Sequence, residues 1–306
     1  MSQAAQGSQV RSGFVVLAGR PNSGKSTLIN AAAGAKVAIV SDRPQTTRRR
    51  LRAVIDRDDA QLVLVDTPGI HKPKDVLGER LNKAAAGAIL DADMVCLVID
   101  ASQPVGRGDE WVVRYLRHSN APSKLLVITK IDLVDSTVVQ KQTEAAMKLL
   151  PFDNVIAVSA VTGFNVEGLV KLMIDALPHG PRYFPRDMAS DQSVDMMISE
   201  FIREKVIRFT FDEVPHAIGV HLEDYFENTE NNVSTVEAVI YVERESQKGI
   251  LIGKQGHNIK RIGTEARMDL ERLLGTKVFL DLKVKVKKDW RRDSAQIRRF
   301  GYGEDS

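Results

Sequence analysis

Apolar residues over the first 177 positions fall into short blocks set between amphipathic stretches. Runs such as Phe14-Val15-Val16-Leu17-Ala18, Leu62-Val63-Leu64-Val65 and Met94-Val95-Cys96-Leu97-Val98-Ile99 are continuous rather than alternating. Strands buried on both faces read this way, and such strands belong to parallel sheets covered by helices. The pattern predicts strands over 14–18, 51–55, 61–65, 94–100, 124–129 and 154–158. Helices are predicted over 25–33, 78–90, 108–118, 137–150 and 166–177. The expected fold is α/β: a mainly parallel six-stranded sheet with helices on both faces.

The alternation stops at Leu177-Pro178-His179-Gly180-Pro181-Arg182-Tyr183-Phe184-Pro185-Arg186. Three prolines disfavour helix and remove ladder donors, so this segment reads as a semi-rigid linker. Beyond it the order changes to helix (193–209), strand (216–223), strand (235–243), helix (247–252), helix (257–274) and strand (277–287). In the first of these helices Val194, Met197, Ile198, Phe201, Ile202 and Val206 share one side. In the last strand Val278, Leu280, Leu282, Val284 and Val286 oppose Asp281, Lys283, Lys285 and Lys287. The expected division is a leader over 1–11, an α/β domain over 12–177, a linker over 178–192, an α+β domain over 193–293 and a tail over 294–306.

Composition adds limits. At 43% hydrophobic and 27% charged residues the chain is globular in type, and no apolar run approaches the roughly 20 residues of a membrane span. Met1–Ser12 is polar and rich in small residues, which fits a disordered leader rather than a signal peptide. The single Cys96 lies in an apolar strand and supports neither a disulfide framework nor a zinc site; a cytosolic location is expected. Net charge is only +3, yet residues 182–245 hold 6 Lys+Arg against 14 Asp+Glu, and residues 246–306 hold 15 against 8. A basic end beside an acidic neighbour asks for an anionic partner only if a binding motif lies within it.

The chemistry begins at Gly19-Arg20-Pro21-Asn22-Ser23-Gly24-Lys25-Ser26-Thr27, between a predicted strand and a predicted helix. This is a phosphate cradle: glycines let backbone N–H groups converge on phosphate oxygens, and the helix N-terminus adds partial positive charge. Lys25 reaches the β- and γ-phosphates and Ser26 holds Mg²⁺. Further motifs follow at the carboxyl ends of strands, where ligands bind in such sheets. They are Asp66-Thr67-Pro68-Gly69, Thr129-Lys130-Ile131-Asp132 and Ser159-Ala160, with Gln45-Thr46-Thr47-Arg48 in the loop after the first helix. Asp66 is expected to hold Mg²⁺ and the Gly69 N–H to sense the γ-phosphate. A threonine of the 41–49 loop, Thr46 or Thr47, with Thr47 favoured, is expected to complete the metal shell. Asp132 can accept two hydrogen bonds from guanine N1–H and N2, which adenine cannot offer. Lys130 would lie along the base, and the Ser159-Ala160 backbone would meet O6.

The set resembles the GTPase signature across the whole first domain. GTPases usually carry Asn-Lys-x-Asp; Thr129 stands in the asparagine position and puts guanine affinity in question. Ras-like enzymes orient water with a glutamine after Asp-x-x-Gly; Ile70 stands there, followed by His71. Related GTPases that use potassium carry an asparagine at the position of Asn22, which makes K⁺ a candidate activator. Lys25, Asn22, Thr47 and Gly69 are the residues expected to serve catalysis.

In the last domain Gly253-Lys254-Gln255-Gly256 joins two predicted helices inside the basic stretch. A tight Gly-x-x-Gly loop clamps single-stranded nucleic acid in KH domains, and the element order resembles a type II KH fold. Lys254, Gln255, Lys260, Arg261, Lys283, Lys285, Lys287, Lys288, Arg291 and Arg292 are candidate RNA contacts. The runs Gly-Arg-Pro-Asn, Gln-Thr-Thr-Arg, Asp-Thr-Pro-Gly-Ile-His, Pro-Arg-Tyr-Phe-Pro, Ile-Gly-Lys-Gln-Gly and Asp-Trp-Arg-Arg-Asp resemble the Era family over residues 12–293. The resemblance implies a GTPase with GTP/GDP and Mg²⁺ that binds 16S ribosomal RNA near its 3′ end and the 30S subunit precursor. It also implies a monomer and, in some members, peripheral contact with the inner membrane. Two alternatives stay open: an RNA-binding module whose nucleotide is nearly structural, and a GTPase acting on a protein or membrane-surface partner.

Overall fold

A computed structural model of the protein describes residues 10–43, 46–73, 75–228 and 231–302. The leader expected over 1–11 lies outside the described residues through position 9, as do Gln45 of the Gln-Thr-Thr-Arg run and the last four residues of the tail.

The first half is the expected doubly covered sheet. Its strands are β1 (Val10–Ala18), β2 (Leu51–Asp56), β3 (Ala60–Asp66), β4 (Met94–Asp100), β5 (Ser123–Thr129) and β6 (Asn154–Ala157), in the order β2-β3-β1-β4-β5-β6. Among these six strands β2 runs antiparallel to its neighbour and the rest pair in parallel. The helices are α1 (Lys25–Ala33), α2 (Val76–Leu90), α3 (Arg107–Leu116), α4 (Ser136–Met147) and α5 (Val166–Ala176). Two apolar cores flank the sheet. Val15, Leu17, Leu64 and Cys96 pack with α1 and α5 on one face, and Val16, Val65, Leu97 and Ile99 pack with α2 and α3 on the other. Alternate residues of one apolar run thus serve opposite layers, which is why the runs are continuous. Burial raises the Cys96 thiol far above its ordinary value, so it is inert packing.

Two expectations change here. First, β1 starts at Val10, not 14, and takes the last two residues assigned to the leader. Val10 is buried, and Val10 and Arg11 extend beyond the start of β4, leaving backbone to be paired. Second, the pairing comes from the linker: β7 (His179–Gly180) runs antiparallel to them, making a seventh strand. The rest of the linker is fastened along β2 and β3. The buried Gln61 amide accepts from the Tyr183 and Phe184 N–H groups at 2.7 and 2.9 Å, and Arg182 pairs with Asp56 at 3.0 Å. The Val54 N–H donates to the Ala189 carbonyl, Ser190 bridges Ala53, and Arg52 pairs with Asp191 at 3.0 Å.

The second half runs α6 (Val194–Arg208), β8 (Gly219–Asn228), β9 (Val233–Val242), α7 (Glu245–Ile252), α8 (His257–Leu274), β10 (Lys277–Val286), α9 (Ser294–Arg299). Its sheet order is β10-β9-β8, with β10 parallel and β8 antiparallel to β9. Helices α6 and α8 close one face over Val236, Ala238 and Ile240. The tail expected over 294–306 is a third correction. Ile297, Phe300 and Tyr302 are buried with Trp290 against Tyr241 of β9 and Leu77 and Leu81 of α2. Aromatic residues at a C-terminus find a core because two elements from different halves leave one between them. No helix among the described residues is long and apolar enough to cross a membrane.

Candidate functional site

The turn from β1 into α1 is built as the cradle requires. Asn22 and Gly24 both take left-handed conformations (φ 64° and 91°), which bend the chain around a cavity before Lys25 opens the helix. Lys25 is buried, and its Nζ donates to the Gly19 and Arg20 carbonyls at 3.2 and 2.9 Å. Burial lowers its pKa to about 8, against the pull of Asp66. An ammonium that donates to two carbonyls in a desolvated turn is poised for an anion.

Three side-chain oxygens converge beside it. Ser26 Oγ donates to Asp66 Oδ2 at 2.7 Å, and Thr47 Oγ1 donates to the same oxygen at 3.2 Å and lies 3.0 Å from Ser26 Oγ. Asp66 Oδ1 is buried with no hydrogen-bond partner among the described residues, and burial raises the carboxyl's pKa against Lys25, Ser26 and Thr47. A hydroxyl–hydroxyl–carboxylate cluster with a spare carboxylate oxygen suits a small hard cation such as Mg²⁺. Between the two threonines the geometry favours Thr47: Thr46 Oγ1 instead bonds Ser41 Oγ at 2.6 Å and the Arg43 carbonyl at 2.7 Å.

The Asp66–Gly69 turn presses on the cradle. A Cβ on Gly69 would lie 2.6 Å from Pro21 N and Cα, so no larger residue fits. Thr67 Oγ1 donates to the Leu17 carbonyl, joining the turn to β1. Ile70 is fully buried in the core and its N–H donates to the Gly19 carbonyl, so its side chain is turned away from the cleft rather than toward the nucleotide site expected for it. Arg20 is likewise directed away: its guanidinium pairs with Asp109 of α3 at 2.9 Å, leaving its backbone to the cradle. Asn22 Nδ2 donates to the Asp42 carbonyl at 2.6 Å and ties the cradle to the loop after α1.

At the base end, Thr129 is buried and its hydroxyl reaches the Ser23 carbonyl at 2.7 Å and the Ile99 carbonyl at 3.0 Å. It thereby joins the Thr-Lys-Ile-Asp loop to the cradle. Lys130 has φ 57° and pairs with Asp100 at 2.6 Å, which lays its stem beside the cleft; Ile131 and Asp132 follow in a single helical turn, with Asp132 exposed. Ser159 is buried, and its hydroxyl accepts from the Thr162 N–H; Ala160 packs on the core. Pro21, Asn22, Gly24, Lys25, Ser26, Thr27, Thr46, Thr47, Gly69 and Lys130 line one cleft.

The loop after α1 faces both halves of the molecule. Asn30 fixes its start through Val37, Ala38 and the Ala38 carbonyl. Lys36 Nζ then meets Glu204 of α6 at 2.5 Å and Asp269 of α8 at 2.9 Å. Ile39 enters the core of the second half, and the Val40 N–H donates to Glu204. Farther along, Arg203 donates to the Thr46 carbonyl and Arg49 to the Phe300 carbonyl. Arg48 is buried, and its guanidinium meets the carbonyls of Pro215, His216 and Ile218 and the rings of Trp290 and Tyr302. None of Lys36, Ile39 or Arg203 is singled out by the sequence, since each reads as an ordinary loop or helix residue.

In the second half the Gly-x-x-Gly loop joins α7 to α8. Gly253, Gln255 and Gly256 have φ of 74°, 52° and 75°, and Lys254 and Gln255 are exposed. A Cβ on Gly253 would lie 2.8 Å from the Asn258 side chain, so the loop closes only with glycine there. Beside it Ile259, Lys260, Gly263, Thr264, Arg267, Phe279, Leu280 and Leu282 line an open groove between α8 and β10. Its apolar floor was not anticipated; exposed Phe279 on β10 is the signal for it. Lys260 belongs to this groove, and Arg261 stacks over Phe209 at 4.2 Å. Other candidates lie apart. Lys285 pairs with Glu223 on the opposite face of the sheet, and Lys283 with Glu237 and Asp281. Arg291 pairs with Glu243 at 2.7 Å and Asp75 at 3.4 Å, locking the two halves together. Lys287, Lys288 and Arg292 are exposed after β10.

Residues 14–130 match a family described as 50S ribosome-binding GTPase, and residues 213–291 match the KH domain. Among solved structures, a variant of Aquifex aeolicus Era bound to GDP·AlF4⁻ superposes with a TM-score of 0.91 at 37% identity, over 96% of this chain and 99% of that one. Era in complex with MgGDPNP and nucleotides 1506–1542 of 16S ribosomal RNA superposes with a TM-score of 0.92, at the same identity and coverage. A cradle, a hydroxyl–carboxylate cluster and a Gly-x-x-Gly groove in one chain, with that identity along almost its full length, show that the chain belongs to the Era family of GTPases.

Proposed function

We propose that the protein is a GTP-hydrolysing switch that binds the 3′ region of 16S ribosomal RNA through its KH domain and assists assembly of the small ribosomal subunit in the cytoplasm. The observation that carries the switch is the meeting of Ser26, Thr47 and Asp66 oxygens within 3.2 Å, because Thr47 belongs to the loop that also grips the KH domain. The RNA fragment held by the relative of 37% identity supports the ligand.

Each residue has a task in this reading. Lys25 turns from the Gly19 and Arg20 carbonyls to the β- and γ-phosphates. The Gly69 N–H meets the γ-phosphate, and Asp132 reads guanine with Lys130 along the base and the Ser159-Ala160 backbone at O6. Bound Mg²⁺, held by Ser26, Thr47 and Asp66, would neutralise charge on the phosphate oxygens. With Ile70 in the core, no side chain there orients water. Asn22, fixed by its bond to Asp42, is the candidate ligand for an activating K⁺. Gly253, Lys254, Gln255 and Gly256 clamp the RNA backbone, with bases in the groove by Phe279 and Lys260 and phosphates near Arg261, Lys287 and Arg292.

The test is binding of a 3′-terminal 16S rRNA fragment with GDP or with a non-hydrolysable GTP analogue, for the wild type and Lys254→Asp/Gln255→Asp. Tighter binding with the analogue, lost in the variant, is expected. Equal affinity in the two nucleotide states would reduce the protein to an RNA-binding module with a structural nucleotide. Turnover in K⁺ against Na⁺ buffers tests the cation separately, and equal rates would remove it.

A further inference from the structure

We propose that Arg48 and Arg203 are positioning residues of the nucleotide site, through which the KH domain holds Thr47 in the magnesium cluster. The proposal rests on reading Ser26, Thr47 and Asp66 as that cluster.

The segment from Gly34 to Arg50 contains no helix or strand among its described residues, so no helical or ladder pairing there fixes Thr47. Ordering such a chain costs conformational entropy at every residue, and contacts must offset it. From the first domain, Asn30 acts on 37–38, Asn22 on Asp42, and within the loop Thr46 Oγ1 bonds Ser41 Oγ and the Arg43 carbonyl. The KH side supplies both neighbours of Thr47. The Thr46 carbonyl accepts from Arg203, whose guanidinium is set by Glu200 at 3.0 Å through Nε and 2.5 Å through Nη2. Arg48 is only 1% exposed, and among the described residues its guanidinium donates to carbonyls of the turn 215–218. Trp290 holds that turn too, its Nε1 donating to the Ala217 carbonyl at 2.8 Å. Thr47 therefore hangs between two anchors that both belong to the other domain.

A buried guanidinium is tolerated only while its carbonyls and ring faces are present, since stripping it of water is costly. If the KH domain leaves the loop, Arg48 must leave the box of Trp290 and Tyr302 and return to water. Thr46–Arg48 then moves as a block, and Thr47 Oγ1 leaves Ser26 and Asp66. By linkage, a ligand that engages Thr47 stabilises the docked KH domain, and one that does not leaves it freer to swing. A triphosphate with Mg²⁺ is of the first kind and a diphosphate of the second.

The experiment is a Mg²⁺ titration of nucleotide affinity, using fluorescent non-hydrolysable GTP analogue and fluorescent GDP. The proteins are the full chain as wild type, Arg48→Lys, Arg203→Lys, Thr47→Ala and the Arg48→Lys/Thr47→Ala double variant. Lysine keeps the charge and loses the fork. Expected is a rise of about tenfold in the Mg²⁺ midpoint for the analogue in each arginine variant, within the roughly 5- to 150-fold usual for coupled sites. GDP affinity should be unchanged, which also reports an intact first domain. In the Thr47→Ala background Arg48→Lys should add nothing. A midpoint unmoved in both arginine variants, or an Arg48→Lys effect that persists without the Thr47 hydroxyl, would overturn the proposal. Wild-type binding of the analogue that ignores Mg²⁺ would instead remove the magnesium-site reading, and the proposal with it.

Discussion

At the scale of single residues, Thr129 shows how a departure from a motif can keep half of its purpose. Its hydroxyl bridges two carbonyls, on Ser23 of the cradle and Ile99 of β4, and so secures the base-reading loop. Thr129→Val keeps the shape and removes the bridge, leaving two buried acceptors without that donor. GDP affinity is expected to fall about tenfold, or ~1.4 kcal/mol, with the sheet intact. Titration with fluorescent GDP checks this, and unchanged affinity would show that the loop stays in position without the bridge. Asp269 gives a second test. Burial alone would raise its carboxyl, but hydrogen bonds and charge from Lys205 and Lys36 outweigh it and hold the pKa below the ordinary value. A carboxyl so lowered contributes stability above its unfolded pKa of about 3.9, and loses it as pH falls through the folded value. Asp269→Asn should therefore lower stability at neutral pH and flatten the decline below about pH 4, read by denaturant unfolding across pH.

At the scale of elements, the segment from Trp290 to Tyr302 is a wedge rather than a tail. Phe300 is buried, with its ring centroid 5.1 Å from Trp290, 5.2 Å from Tyr241 and 5.8 Å from Tyr302. Phe300→Ala is expected to cost about 3–5 kcal/mol. The loss should appear as a lower guanidinium midpoint, with weaker docking of α2 on the KH sheet. Strands and helices of both halves were legible in the sequence because each follows one period, from continuous runs in β4 to alternation in β10. The wedge was not legible, since six residues of helix carry too little pattern and Phe300 and Tyr302 had no visible partner. The burial of the charged face of helix α6 escaped for the opposite reason. Glu200, Arg203, Glu204 and Lys205 look like a solvated face, yet all four are buried because the loop after α1 covers them. The cradle and the Gly-x-x-Gly turn could be read because local backbone geometry dictates their residues. The contacts that join them are long-range, and no local rule announces an Arg48 that ends beneath Trp290.

At the scale of the molecule, the two domains meet through charged networks set beside the apolar wedge. Lys36, Lys205, Glu204 and Asp269 form one network and Arg48, Arg203 and Glu200 lie in another. Such contacts are specific in geometry and costly to leave half made, which fits parts meant to separate and return in register. The linker has a consequence of its own. Strand β2 ends the sheet order, and residues 189–191 lie along its open side, with Ala53 bridged to Ser190 and Val54 bonded to Ala189. An uncovered outer strand is a template for pairing with another molecule. The segment that connects the domains thus also shields the first from its own copies. A fragment ending at residue 177 should self-associate as its concentration rises, whereas one ending at 192 should do so far less, as sedimentation velocity would show. Separating the domains by cutting too early would yield a first domain that sticks to itself.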